Sequence, residues 1–301
     1  MSVQAALLPG GRLHLNHGPI DLVIEATPGM AGGMAPRMAA RMAARSGQDI
    51  VNEAYRRAAR RFDGMLEELV AELPALRSEG AAVEGRVARA MAAAVAPYRP
   101  EFVTPMAAVA GAVADAVLAA MIGPGLARAY VNNGGDIALY LAPGQSLTAA
   151  VAARPGMPDR VVVRHADPVR GIATSGWRGR SQSLGIADAV TVLARTAAEA
   201  DAAATMIGNA VDLPGHPAVA RRPAREVKAD SDLGDRPVTV AVGALTGDAA
   251  EAALARGAAY AGALLARGLI AGAALFLQGR VKVVGHRALA VLADREEVRL
   301  G

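Results

Sequence analysis

The residues with the clearest chemical potential lie in EADAAATMIGNAV, Glu199 to Val211, where Asp201, Thr205 and Asn209 recur at steps of four among alanines. In a helix this spacing lines up a carboxylate, a hydroxyl and an amide on one side. Carboxylate and hydroxyl oxygens one turn apart suit a hard cation such as magnesium, which keeps several waters and is completed by a substrate's phosphates. The competing account is local: Asp201 favours the positive end of the helix and Thr205 bonds back to a carbonyl. Thr196 and Glu199 have the Thr-x-x-Glu spacing of a capping box, which predicts the helix start there.

Two further segments carry polar groups in suggestive order. In VNNGGDI, Val131 to Ile137, Gly134 and Gly135 let backbone amides approach a phosphate or ring, and Asp136 can accept from a ligand's hydroxyl or amide donors. The same letters also fit a hairpin turn between apolar runs. In GIATSGWRGRSQSLGIADAVTV, Thr174, Ser175 and Gly176 end a short apolar stretch. Arg178, Arg180, Ser181 and Ser183 then offer donors for phosphate oxygens before Asp188 leads into a strand, although an ordinary polar loop has the same composition.

Histidine chemistry is weak. His14 and His17 face opposite sides of an extended segment and cannot share a metal, and His216 and His286 stand in turn-like contexts. Ser175, His165 and Asp167 have the residue types of a hydrolase triad, but Ser175 lacks a Gly-x-Ser-x-Gly elbow and His165 lies too near Asp167.

The elements that must position these groups interleave. GPIDLVIEA, Gly18 to Ala26, reads as a strand, and residues 27–47, rich in Gly, Met and Arg, as a mobile loop. From Gln48 an apolar stripe through Val51, Tyr55, Phe62, Leu66 and Leu73 predicts one long amphipathic helix ending near Pro74, with arginines on its wet face. A second helix is expected over Val83 to Ala96, and a third after Thr104, as cap, and Pro105. β-Branched runs follow in ARAYVNNGGDIALYL, LTAAVAA, RVVVR, ADAVTVLA, PVTVAVGAL and AALFLQGRVKVVG, the last turning at Gln278 and Gly279. The pattern predicts a single α+β domain over residues 1–301, with strands close enough to pair as antiparallel hairpins and long helices covering the sheet.

Composition narrows the partners. The chain has 301 residues, 53% hydrophobic and only 3% aromatic, so its core is built from small side chains in close approach. Its net charge of +4 is spread over scattered arginines without interleaved aromatics, which argues against nucleic acid. Cysteine is absent, which removes disulfides and thiolate chemistry and fits a reducing compartment. The first residues lack a secretory pattern, so the cytoplasm is the expected location. The apolar windows Met106 to Met121 and Ala258 to Leu277 contain Asp115 and Arg267, so both read as buried helices with no membrane span.

Taken in order, these segments resemble the ApbE superfamily of flavin transferases, which move FMN from FAD onto a protein threonine with magnesium. The matching motifs are the Gly-x-x-x-Asp of Gly111 to Asp115, Gly134 to Ile137, Thr174 to Gly176, Ala189 to Val192, and Glu199 to Thr205. The near-complete likeness of GPIDLVIEA, VTPMAAVAGAVADAV, VNNGGDIAL and ADAVTVLA is to a distinct, uncharacterised ApbE-related branch. The resemblance implies a largely antiparallel, T-fold-like sheet covered by long helices. It implies magnesium at Asp201 and Thr205. It also implies FAD, or a similar flavin nucleotide, at Asp115, Gly134, Gly135, Asp136, Thr174, Ser175, Gly176, Arg180 and Ser181, with an acceptor protein as partner; a homo-oligomer is compatible with the sequence.

One segment departs from the pattern. Where flavin transferases carry His-x-x-Asp-Pro-x-Thr-Gly, this chain reads RGRSQSLGIAD, and its N-terminal third lacks the usual family opening. The resemblance therefore implies the fold and the metal region more directly than the reaction. FMN transfer or pyrophosphate cleavage stands beside a cofactor-binding or biosynthetic accessory role for a pterin- or flavin-like ligand.

Overall fold

The computed structural model describes residues 3–29, 46–151 and 159–285. Most of the loop expected over residues 27–47 lies outside the described residues. Its two ends are regular: the strand before it reaches Pro28 and the helix after it begins at Gly47.

The chain opens with β1 (Gln4–Leu7), β2 (Leu13–His17) and β3 (Ile20–Pro28), followed by α1 (Gly47–Phe62), α2 (Met65–Ala71), α3 (Leu73–Leu76) and α4 (Arg86–Val95). After 3-10 turns at Ala96–Tyr98 and Pro105–Ala108 come α5 (Val109–Met121), β4 (Leu126–Asn133), β5 (Asp136–Leu141), β6 (Ser146–Val151), β7 (Asp159–Arg164), β8 (Gly171–Ser175) and β9 (Ala189–Ala194). The remainder is α6 (Ala197–Ala210), β10 (Val219–Pro223), α7 (Ala224–Val227), β11 (Pro237–Val242), α8 (Gly247–Ala266), β12 (Gly272–Leu277) and β13 (Arg280–Gly285). The fold is α+β, with antiparallel hairpins and covering helices. Among the described residues no helix is long and apolar enough to cross a membrane.

Two compact units divide these elements. The first comprises Met1–Leu147, Val163–Gly171 and Thr196–Ala198; the second comprises Thr148–Val162, Ile172–Arg195 and Glu199–Gly301. In the first, β1 to β5 follow one another in antiparallel order. Strand β3 alternates as a half-buried strand should, with Ile20, Leu22, Ile24 and Ala26 buried. Burying a side chain the size of Leu22 or Ile24 contributes about 1.5–3 kcal/mol. Helix α1 turns Ile50, Val51, Ala54, Tyr55, Ala58 and Phe62 inward and packs on β3 and α5, while α5 packs on β4 and β5.

In the second unit, β8, β9, β12 and β13 are hydrogen-bonded neighbours, and β12 is buried along its whole length. Helix α8 lies on β12 and β13. Gly257 lets it do so: a methyl group there would approach Leu275 Cδ2 to 2.8 Å and overlap the Val211 side chain. The hairpin from β12 to β13 turns at Gln278 and Gly279, both with positive φ (45° and 81°), the geometry of a two-residue type I′ turn.

Three helix expectations need correction. The long helix expected from Gln48 is broken, because Asp63 is extended and Gly64 has φ 75°, so α2 starts in a new direction; Pro74 lies inside α3 rather than ending α1. A Ser46–Asp49 capping box starts α1, each side chain meeting the other's backbone N–H at 3.1 Å. Thr104 occupies the expected cap position, yet its side chain makes no cap hydrogen bond; its carbonyl accepts from Ala107 N–H as the 3-10 turn begins. Arg57 leaves the wet face of α1 to donate to the Met121 carbonyl at 2.8 Å, which satisfies the end of α5.

Candidate functional site

In the first unit the Gly-x-x-x-Asp pair acts on one piece of backbone. Gly111 and Asp115 are one turn apart on α5, and both face residues Thr196–Ala198. A methyl group at Gly111 would come within 2.6 Å of the Ala198 nitrogen and overlap the Ala197 carbonyl, so only glycine permits this approach. Asp115 then takes two of the free amides of the helix start: Oδ1 accepts from Ala197 N–H at 3.1 Å and Oδ2 from Ala198 N–H at 2.9 Å. Gly171 closes on the preceding peptide, Thr196–Ala197, from β8. The helix does start at Ala197, as the Thr196–Glu199 spacing predicts.

The carboxylate of Asp115 is thus bound to a helix terminus, where the dipole strengthens the contact. Asp115→Ala is expected to destabilise the protein by about 2 kcal/mol and Asp115→Asn, which keeps one acceptor, by about half as much. Urea unfolding of the three proteins measures this order.

The glycine pair of VNNGGDI forms the β4–β5 turn, with φ 65° at Gly134 and 118° at Gly135, so the hairpin expectation holds. Gly135 N–H donates to Asn132 Oδ1 at 2.8 Å, and that amide is therefore committed within the turn. The buried Asn133 side chain donates to the Ala110 carbonyl at 3.1 Å, docking the turn beside Gly111. Asp136, directly across from Asn133, is 9% exposed.

The second unit holds the other two groups. Thr174 Oγ1 meets Thr191 Oγ1 at 2.9 Å across β8 and β9, and Ser175 ends β8 half-buried. Gly176 turns the chain against the Asp188 backbone, where a side chain would collide with it. Asp188 then gathers three donors: Trp177 Nε1 at 3.3 Å, Arg178 Nε at 2.7 Å and Gln278 N–H at 2.6 Å. Arg178 is therefore paired, whereas Arg180 and Ser181 are exposed at the crown of the loop, without a side-chain partner among the described residues.

The other end of this loop is pinned to α6. Asn209 Oδ1 accepts from Leu184 N–H at 2.9 Å and from Ser183 Oγ at 3.4 Å, and Gly185 lies so close to the last turn that a methyl group would overlap the Gly208 carbonyl. Gln182 reaches the Ala224 carbonyl at 2.9 Å and accepts from Ser231 Oγ. Asn209 stands on the same helix side as Asp201 and Thr205, which are both half-buried. Segment 178–188 is thus anchored at the far end of the stripe that carries the carboxylate and the hydroxyl.

Among the described residues no group of three or more His, Cys, Asp or Glu side chains is arranged to hold a metal. His14, His17 and His165 stand apart from these groups, and His286 lies outside the described residues. His14 bonds Asp21 at 2.8 Å from the half-buried side of β2, and His17 lies on its buried side, so they do not converge, as expected. His165 Nδ1 bonds the Leu141 carbonyl at the end of β5, and Asp167 accepts from Arg164 N–H within its own turn, each at 2.7 Å. In the first turn of α6, Glu199 accepts from Arg195 at 3.0 and 3.2 Å and raises that guanidinium's pKa.

Sequence reasoning passed over three residues that organise these groups: Asn133, Asn209 as an anchor, and Gln278. A signal existed for Asn209, the third member of the polar stripe. None existed for Gln278, whose amide bonds Leu245 N–H and the Gly243 carbonyl across a loop distant in sequence.

A model of the family described as AbpE bacteria matches residues 5–283. A UPF0280 protein of Methanothrix thermoacetophila is 42% identical over 113 residues, 36% of this chain and 46% of that protein. Another, of Methanothermobacter thermautotrophicus, is 36% identical over 153 residues, 47% of this chain and 53% of that protein. The chain spans about half the length of these curated relatives. The apo form of Pseudomonas stutzeri flavinyl transferase ApbE aligns with 96% of this chain and 97% of its own at 15% identity and a TM-score of 0.36. A mutant of the Vibrio cholerae flavin transferase ApbE aligns with 96% of this chain and 98% of its own at 13% identity and a TM-score of 0.41. Since the family match runs from the first strand to the last one described, the chain belongs to the AbpE bacteria family, an ApbE-like family.

Proposed function

We propose that the protein is a magnesium-dependent enzyme acting on FAD or a related phosphorylated nucleotide, by FMN transfer to an acceptor protein or by pyrophosphate cleavage. The observation that carries this reading is the anchoring of segment 178–188 to Asn209, which ties a loop whose Arg180 guanidinium has no side-chain partner among the described residues to the helix side bearing Asp201 and Thr205. The donor set fits a hard cation: one carboxylate and one hydroxyl, with water and phosphate oxygens to complete it. Asp201 and Thr205 would hold the ion, whose chemistry there is to neutralise charge on a phosphate group.

The chain's own residues supply binding. Arg180 and Ser181 donate to phosphate oxygens from the loop crown, and Arg178, paired with Asp188, stands two residues before Arg180. Thr174 and Ser175 present hydroxyls at the end of β8. Gly134 and Gly135 leave a turn without side chains, and Asp136 offers a carboxylate to a ligand's donor groups. Asp115 and Gly111 act at one remove, by fixing the first turn of α6.

The test is incubation of the purified chain with FAD and magnesium, with chromatography for FMN and AMP and mass analysis for a flavinylated threonine. Turnover is expected, and Asp201→Ala should raise the magnesium requirement at least about tenfold, the loss seen when even a supporting residue of a metal site is removed. Wild-type protein that neither binds nor turns over FAD would refute the proposal. The accessory reading has one observation in its favour, the RGRSQSLGIAD segment in place of His-x-x-Asp-Pro-x-Thr-Gly. It predicts flavin binding that is indifferent to magnesium and to Asp201→Ala.

A further inference from the structure

Trp177 is the only tryptophan of the chain, and it follows directly on the Thr174–Gly176 turn. Its surroundings are unlike those of a core aromatic. Backbone and ring are both fixed: Trp177 N–H donates to the Ala187 carbonyl at 3.0 Å, and Nε1 donates to Asp188 Oδ1 at 3.3 Å. The ring is only half-buried. Over it lies the Arg178 guanidinium, 5.1 Å from the ring centroid, on a side chain that is 59% exposed.

A guanidinium is a planar, delocalised group that stacks on aromatic faces much as a heterocycle does. An exposed contact of this kind, and an exposed ion pair to Asp188, hold it weakly. We propose that Trp177 is the stacking surface for the planar heteroaromatic part of a phosphorylated ligand, and that Arg178 covers this surface until the ligand displaces it. Displacement leaves the guanidinium free to meet the ligand's phosphate beside Arg180 and Ser181, so ring and phosphate are recognised by adjacent residues of one loop. Indole and an electron-poor heterocycle such as a flavin ring are a favourable stacking pair. The inference rests on the flavin-nucleotide reading above and adds to it the group that receives the ring.

The experiment uses the full chain as wild type, Trp177→Phe, Trp177→Leu and Arg178→Ala, with FMN and riboflavin as probes and flavin anisotropy as the measure of binding. Trp177→Phe should bind both flavins within about threefold of wild type, and Trp177→Leu at least about tenfold more weakly, since stacking on a base-like ring has that worth. Arg178→Ala should weaken FMN more than riboflavin. Wild type saturated with FMN should show a charge-transfer tail at the red edge of the flavin absorption, lost in Trp177→Leu. Wild-type affinity in Trp177→Leu overturns the stacking role and leaves the flavin reading standing, whereas wild type that binds neither flavin overturns both. If Trp177→Leu fails to fold by circular dichroism, the wild-type spectrum decides, because FMN bound without the tail overturns the stacking role.

Discussion

Gly171→Ala is expected to cost the protein about 3 kcal/mol or more, the upper end for inserting a methyl group where packing is already complete. The new atom would overlap the Thr196 carbonyl group and the Ala197 nitrogen. Backbone has no rotamer by which to step aside. Gly111→Ala meets the neighbouring Ala197 carbonyl from α5, but it recovers about 1 kcal/mol from better helix propensity, so its net effect should be nearer 2 kcal/mol. Both substitutions push on one three-residue segment, Thr196–Ala198, so their effects should fall short of additivity: once one has displaced the segment, the other meets less resistance. Urea midpoints of the two single variants and the double variant form the cycle that tests this. Additive effects would show that the two glycines do not share a contact.

Asp188→Ala should produce a loss of similar size, about 3 kcal/mol, by a different route. It removes the acceptor for one backbone N–H, one indole N–H and one guanidinium, two of them at 2.7 Å or less. Hydrogen bonds to a charged group contribute about 1.5–3 kcal/mol each, and partial exposure of Asp188 discounts the sum. The damage should concentrate in segment 176–188 and at the β12–β13 turn, where Gln278 N–H loses its partner. Red-shifted, quencher-accessible Trp177 emission in a still-folded variant would report the local part, and the urea midpoint the global part. Asp188→Asn should recover about half, since one amide oxygen remains to accept.

The elements were legible wherever period and turn chemistry agreed. The β12–β13 hairpin at Gln278 and Gly279, the β4–β5 turn at Gly134 and Gly135, and the start of α6 at Ala197 lie where their residues predict. The break between α1 and α2 was hidden because the apolar stripe continues across it and outweighs the turn signal of Asp63-Gly64. The candidate site was legible as a set of residue types, but not as a set of partners. The role of Asp115 depends on amides 82 and 83 residues away, and that of Asp188 on an amide 90 residues away, distances at which no pattern in the letters survives. Asn209 shows the same limit from nearer by: the stripe marked it, but the loop that it holds could be found only in three dimensions.

The two hydrogen bonds that Asp115 accepts also bear on how the chain reaches this structure. Helix α6 cannot satisfy its opening amides by itself, because the carboxylate that does so arrives from 82 and 83 residues upstream. Closing so large a loop is slow compared with forming a helical turn, so the opening turn of α6 is expected to become ordered only after α5 has settled on its strands. Amide exchange at Ala197 and Ala198 therefore reports assembly of the whole first unit rather than the strength of the helix in which those amides sit.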